Sequence, residues 1–230
     1  MVMQILDRYA AVYEDLLAVP VVKGKKSDDE RFAGAYFTTT TEIYVPISGR
    51  GIQGATSHQL GTNFAKMFET QYEDQKGVKK DVWQTSWGLS TRSIGAMIMV
   101  HSDNMGLVLP PRVAQVQVVI IPILKKGDDM DAINANAQEI YDKLKKAKVK
   151  VVLDDRENYN PGFKFNHWEL KGTPIRLELG KKDFEKQEVR VCKRHDGQKF
   201  QAKVDTIDEK ITELLEQIHH EMYQKALKAR

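Results

Sequence analysis

The chain has 230 residues, 41% hydrophobic and 29% charged, which suffices for two domains of about 100 to 130 residues with a real buried core. A single cysteine, Cys192, excludes an internal disulfide and a cysteine-rich metal site; no apolar run reaches the roughly 18 residues of a membrane span, and Met1 to Gln4 lack the basic-then-apolar layout of a secretory leader, so an intracellular, cytoplasmic protein is expected. The net charge of +3 is too small to establish a nucleic-acid partner, yet residues 1–111 carry 11 Lys/Arg against 12 Asp/Glu and residues 112–230 carry 24 against 20, so the basic excess lies in the second half.

Residues 3–17 place Ile5, Tyr9, Val12 and Leu16 beside Leu6, Tyr13 and Leu17 at helical spacing, which predicts an amphipathic helix. Pro20-Val21-Val22 reads as a short strand and Lys23 to Glu30 as a charged turn. Phe37 to Pro46 is β-branched and aromatic, and Ser48-Gly49-Arg50-Gly51 turns it back into a second strand, Ile52 to Leu60. A short helix over Asn63 to Phe68 and a β-rich pair, Glu69–Asp74 and Lys80–Thr85, lead to Trp87-Gly88-Leu89-Ser90-Thr91-Arg92. Ser90 and Thr91 are good caps for a buried helix beginning near Arg92. A cation in a first turn opposes the helix dipole unless an anion shares the site, so Arg92 is either a phosphate ligand or an arginine that snorkels to solvent. This half reads as an antiparallel sheet with a few helices, an α+β arrangement.

Pro110-Pro111 marks the expected boundary between a domain over 1–111 and one over 112–230. Gln115 to Ile123 reads as a strand buried on both faces, Gly127-Asp128-Asp129 as a turn, and Ile133, Ala137, Ile140 and Leu144 as the buried stripe of a helix. A second buried strand over Lys148 to Leu153, a helix through Phe163 to Glu169 and a third strand over Pro174 to Leu179 predict a parallel-dominated α/β sheet. Asp196-Gly197 centres a hairpin over Glu188 to Val204, with Cys192 on a strand. Asp205 or Thr206 caps a last helix that buries Ile207, Ile211, Leu214, Leu215, Ile218 and Met222.

Three constellations stand out. Gly49 to Gly61 is small and polar for a strand; Gln53, Thr56 and His58 supply donors and acceptors without net charge, either for a small polar ligand or as a bulged edge strand with a bonded histidine. Asp154-Asp155-Arg156 ends a buried strand, where open α/β sheets bind ligands. Phe163 to Trp168 interleaves aromatics with basic and amide groups, as base-stacking modules do and as a helix using its aromatics for packing also does. The six histidines are scattered and the adjacent pair His219-His220 is no i,i+4 ligand pair, so no metal ligands are expected; phosphate-loop and dinucleotide fingerprints are absent.

The segments RFAGAYFTTT, GIQGATSHQLGTNFAKMF, QTSWGLSTRSIGAMIMVHSDNMGLVLPPRVA and DDRENYNPGFKFNHWELKGTPIRLELGKKD together resemble prolyl-tRNA synthetase of the eukaryotic and archaeal type, over nearly the whole chain. The resemblance implies the C-terminal part of a class II synthetase antiparallel sheet followed by an α/β anticodon-binding domain. It implies a proline–tRNA ligase that forms a prolyl-adenylate from L-proline and ATP with Mg, works as a homodimer at full length, and has proline tRNA as partner. Arg92 is similar to the family's motif-3 arginine on the ATP phosphates, with Ser90 beside it, and Gln53 and Thr56 to ATP contacts. Phe32, His58, Trp87 and Gly88 resemble the proline pocket. Asp154, Arg156, Lys164, Phe165, Glu169 and Lys171 are expected to face the anticodon. Ala55 replaces a glycine often seen in the family.

The family's motif 1, its motif-2 arginine and the loop gripping the proline amine would precede Met1, and its zinc-carrying extension would follow Arg230, so the chain is expected to be a fragment that is inactive by itself. The competing reading is a non-catalytic tRNA-binding module that retains the synthetase scaffold.

Overall fold

A computed structural model of the chain describes residues 1–123 and 130–230. The expected turn at Gly127-Asp128-Asp129 lies outside the described residues. By backbone contacts the chain divides into two compact units, Met1–Val100 with Ala226–Arg230, and His101–Lys225, a division that falls ahead of Pro110-Pro111.

The first unit opens with α1 (Val2–Ala11), which widens into a π-type turn through Val12–Leu16. Its buried residues are Val2, Leu6, Tyr9, Ala10, Tyr13 and Leu17, whereas Leu16 is exposed; the packing stripe is therefore rotated from the expected one. Strand β1 (Val21–Lys25) pairs antiparallel with β2 (Phe37–Val45), with Lys23 opposite Thr41 and Lys25 opposite Thr39. The lysines expected in a turn thus belong to a strand, where they charge one edge of the sheet and disfavour pairing with another chain. Strand β3 (Arg50–Gly61) follows, then α2 (Asn63–Met67), a two-strand ribbon of β4 (Gln71–Glu73) and β5 (Lys79–Asp81), and β6 (Gln84–Gly88). The main sheet runs β1-β2-β3-β6, all antiparallel. α3 (Arg92–His101) starts where the serine and threonine caps predict, but it buries only Ser93, Ala96 and Met97 and leaves Ile94 53% exposed, so it is a half-covered helix instead of a buried one.

The second unit holds β7 (Val118–Pro122), α4 (Met130–Lys146), β8 (Val151–Leu153), α5 (Pro161–Leu170), β9 (Ile175–Leu179), α6 (Lys181–Glu185), β10 (Glu188–Lys193), β11 (Lys199–Lys203) and α7 (Ile207–Ala229) up to Lys225. β7 is buried throughout, as its unbroken apolar run predicts; Ile133, Ala137, Ile140 and Leu144 of α4 are all buried, and so are the six residues expected on α7. The sheet order is β11-β10-β9-β7-β8. β7 pairs parallel with β8 and β9, but β9-β10 and β10-β11 are antiparallel, so the sheet is mixed and not parallel-dominated. The hairpin about Asp196-Gly197 supplies the antiparallel half. β8 is an edge strand and only half-buried.

Candidate functional site

In the first unit the site is set by strand register. Thr40 lies opposite Thr56 and Thr38 opposite His58, so these four share one face of the sheet. By parity alone Gln53 would point the other way. The pairing slips between Thr41 and Glu42, with Thr41 opposite Ala55 but Glu42 opposite Gln53, so Gly54 is an extra residue and Gln53 rejoins the face of Thr56 and His58. Gly54 is required there, since a Cβ would lie 2.9 Å from Thr41 Oγ1 and 3.0 Å from the ring of Tyr13, which is fully buried.

His58 is held on both nitrogens, Nδ1 with Thr38 Oγ1 at 2.9 Å and Nε2 with Thr56 Oγ1 at 3.1 Å. Thr38 Oγ1 accepts from Phe32 N at 3.0 Å, leaving its own proton for Nδ1, so the network favours the Nε2–H tautomer. Burial, and secondarily the charge of Lys26, lowers the His58 pKa and keeps the ring neutral near pH 7. The Phe32 ring, half-exposed, lies 4.9 Å from His58 between centroids. Thus Phe32, His58, Thr56 and Gln53 do come together.

Trp87 and Gly88 separate. Gly88 lies opposite Thr56 and has open space where a Cβ would stand, while Trp87 lies opposite Ser57 and so belongs to the other face, away from His58. Expecting both as one pocket floor is therefore wrong for Trp87, because adjacent strand residues alternate. Arg92 follows Gly88 at the first turn of α3 and is exposed; Ser90 Oγ accepts from its N–H at 3.3 Å. Its charge is felt by the Tyr13 hydroxyl, whose pKa burial raises and Arg92 pulls back. Polar uncharged groups on one face, an open glycine and a following helix N-terminus with an arginine fit a nucleotide. The acid on that face beside Gln53 is Glu42, which accepts from Thr40 Oγ1 at 2.7 Å.

In the second unit Asp154 directly follows β8 and is only 3% exposed. Arg156 donates to it through Nε and Nη2, each at 2.7 Å, Trp168 Nε1 donates to Oδ2 at 2.7 Å, and Lys164 Nζ donates to its carbonyl oxygen at 2.9 Å. Burial by itself would raise the Asp154 carboxyl; the bonds from Arg156 and Trp168 and the charges of Arg156 and Lys164 outweigh it and hold the pKa at about 2. Asp154 is therefore an organiser and not the base-reading carboxylate expected from sequence.

The six expected anticodon residues fall on two sides of α5. Arg156 and Lys164 line a cavity of about 390 Å³ with Pro122, Asn134, Tyr159 and Asn160. Phe165 and Glu169 line another of about 310 Å³, together with Trp168, Arg176, Lys193 and Lys199. The exposed Lys171 lies over the Trp168 ring at 5.2 Å, and Arg176 over Phe165 at 4.4 Å. Among the described residues, the lining of the second cavity carries four cations, counting Arg194, against the single carboxylate Glu169; that of the first carries Arg156 and Lys164 against Asp155 and Glu157.

Among the described residues, one group presents metal-ligand atoms within 4.8 Å of one another: His195, Asp196 and Glu221. Lys193 Nζ lies 2.8 Å from Asp196 and 3.0 Å from Glu221, so an ammonium already balances both carboxylates.

Residues 117–214 match the family described as anticodon binding domain. A cytoplasmic proline–tRNA ligase of Arabidopsis thaliana is 49% identical over 236 residues, covering 100% of this chain and 43% of the relative. The bifunctional glutamate/proline–tRNA ligase of Cricetulus griseus is 50% identical over 231 residues, 98% of this chain and 15% of the relative. The crystal structure of prolyl-tRNA synthetase from Cryptosporidium parvum complexed with L-proline and AMP superposes with a TM-score of 0.95 at 50% identity, over 99% of this chain and 49% of that one. The chain belongs to the prolyl-tRNA synthetase family. It spans less than half the length of each of these relatives.

Within this synthetase segment, sequence reasoning missed Tyr159, Asn160, Trp168 as a ligand of Asp154, and Arg176. Asn160 was legible, since Asn followed by Pro161 is a helix-start signal, and its Oδ1 accepts from Phe163 N at 2.8 Å. Arg176 was not, because an arginine inside an apolar strand gives no hint of the Phe165 ring that α5 brings over it.

Proposed function

We propose that this chain supplies the anticodon-recognition part and a portion of the activation site of a cytoplasmic proline–tRNA ligase. In that enzyme a proline carboxylate oxygen attacks the α-phosphorus of ATP, the bond to pyrophosphate breaks, and the prolyl group then passes to a hydroxyl of the tRNA's terminal adenosine as its bond to the phosphate breaks and AMP leaves. Arg92 binds the phosphates, Gln53, Thr56 and Ser90 hold the nucleotide, and neutral His58 with Phe32 and Gly88 bounds the proline site. Positioning and charge stabilisation carry such chemistry, so no side-chain nucleophile is needed. Mg accompanies ATP as substrate, and the full-length enzyme is a homodimer.

The cation-rich cavity of the second unit takes the anticodon bases, with Phe165 under Arg176 as platform and Glu169 and Lys171 as edge readers. The observation that carries this is the charge contrast across α5: among the described residues, the side holding Phe165 and Glu169 has the excess of cations that a polyanion requires. Unpaired anticodon bases expose their Watson–Crick edges to such groups. The test is binding of the 230-residue chain to proline tRNA and to the same tRNA with altered second and third anticodon bases. Arg176→Ala should cost about 1–3 kcal/mol and flatten the preference for the proline anticodon. Equal affinity of the unmodified chain for both tRNAs would remove the reading.

A further inference from the structure

The cavity on the other side of α5 has a different chemistry. β8 and β9 flank β7 on opposite sides. Right-handed crossovers then place α4 and α5 on opposite faces of the sheet and leave a crevice at the carboxyl ends of β7 and β8. There the cavity of about 390 Å³ opens, lined by Pro122 of β7, Asn134 of α4 and the loop from Asp155 to Pro161. Among the described residues its lining holds two cations, both also paired with Asp154, and two carboxylates, so it favours a neutral group over a phosphate. What it offers is flat and hydrogen-bonding. Arg156 is locked by two bonds to Asp154 and lies over Tyr159 at 5.0 Å. Tyr159, 44% exposed, stacks on Phe163 at 4.4 Å and 11°, and Phe163 stacks in turn with His167 at 6.3 Å and 21°. A guanidinium and three rings, spaced by four residues from Tyr159 onward, thus form one stack along the outside of α5, and its Arg156 end gives onto the cavity, where the amides of Asn134, Asn158 and Asn160 stand around it.

We propose that this cavity is a nucleobase pocket, which takes one unpaired base of the bound tRNA loop outside the anticodon triplet. The base extends the stack on the guanidinium of Arg156, and the asparagine amides meet its edges. Its phosphates stay outside, away from Asp155 and Glu157. The inference rests on the reading that the second unit binds the anticodon loop of a tRNA.

The test uses the 230-residue chain and an anticodon stem-loop of proline tRNA in which the base at each loop position outside the triplet is removed in turn. At one position the abasic loop should bind about tenfold more weakly, the loss expected for one stacked base. Asn134→Leu, which fills the cavity from a half-buried position of α4, and Tyr159→Ala, which takes the support from Arg156, should each bind the intact loop as weakly as the unmodified chain binds that abasic one. Neither variant should discriminate the two loops any longer. Unchanged binding of the intact loop by both variants, or losses that simply add to that of the abasic loop, would overturn the pocket while leaving anticodon binding in place. Binding of free AMP, GMP, CMP or UMP that the variants abolish, with no change in binding of the loop, would make it a site for free nucleotides and overturn it too. Failure of the unmodified chain to bind any stem-loop would remove the underlying reading together with the pocket.

Discussion

Gly54 stands where the second and third strands slip register, and its missing Cβ lets Tyr13 approach from the π-type turn that follows α1. Gly54→Ala should cost about 1–3 kcal/mol by overpacking, read from urea unfolding, with the ring of Tyr13 and the bulge forced apart. His58 and Arg92 serve different ligands on the proposed reading. In the ligase, Arg92→Ala should raise the barrier by about 2–4 kcal/mol through ATP use, and His58→Ala should loosen proline instead; a rise in the Michaelis constant for proline alone on changing Arg92 would refute the assignment. Asp154 offers a pH test. Its folded pKa, about 2, lies below the ordinary 3.8, so its contribution to stability is present above pH 4 and is lost as pH falls toward 2. That contribution is about 2 kcal/mol. Asp154→Asn should remove the pH dependence in this window and cost about 3–5 kcal/mol at neutral pH, because Arg156 and buried Lys164 lose their counter-charge. Cys192 accepts no such role. Burial, then the Glu178 charge, pushes its thiol up to about 11, so a thiol-specific reagent should leave it unmodified at pH 7.5 until the chain unfolds.

At the scale of elements, the legible parts were those whose signal is local. Ile207, Ile211, Leu214, Leu215, Ile218 and Met222 repeat at helical spacing and are all buried on α7. Asp196-Gly197 turns the hairpin between Glu188–Lys193 and Lys199–Lys203 as the dipeptide predicts. What was not legible depends on partners distant in sequence. The strand pairing of Lys23 and Lys25 is decided by Thr39 and Thr41 across the sheet, which a charged Lys-Gly-Lys run does not reveal. The expected Gln53, Thr56 and His58 trio is brought to one face only by the bulge, and alternation removes Trp87 from it. Asp154 was expected to face the anticodon because neither Trp168 nor Lys164 is near it in sequence to show that its carboxylate and carbonyl are already bonded. α5 itself gives a test of its start signal: Asn160→Ala should cost about 0.5–2 kcal/mol of stability through the lost bond to Phe163 N.

Across the whole molecule the charge asymmetry gains a location. The excess of Lys/Arg over Asp/Glu lies in residues 112–230, 24 against 20, and four of those cations line the cavity beside Phe165 and Glu169. They are not equivalent. Lys193 is engaged by Asp196 and Glu221, Arg194 by Asp103 at 2.6 Å, and Arg176 by Glu178 at 3.0 Å, so their charges are partly offset and their side chains are fixed. Lys199, at the exposed start of β11, is the cation of this group best placed to meet a phosphate. Arg176, held against Phe165, is placed to meet a base. The two kinds of contact have different salt signatures, since a phosphate contact releases counterions and a base contact does not. Binding of the 230-residue chain to proline tRNA should therefore weaken as salt rises. Lys199→Ala should lower affinity alike for proline tRNA and for tRNA with an altered anticodon, and should reduce the slope of log affinity against log salt by about 0.7 to 1. Arg176→Ala should leave that slope nearly unchanged and act on anticodon preference. If Arg176→Ala changed the slope as much as Lys199→Ala did, and lowered affinity for all tRNAs equally, both residues would be phosphate contacts and the division of labour within this cavity would be wrong.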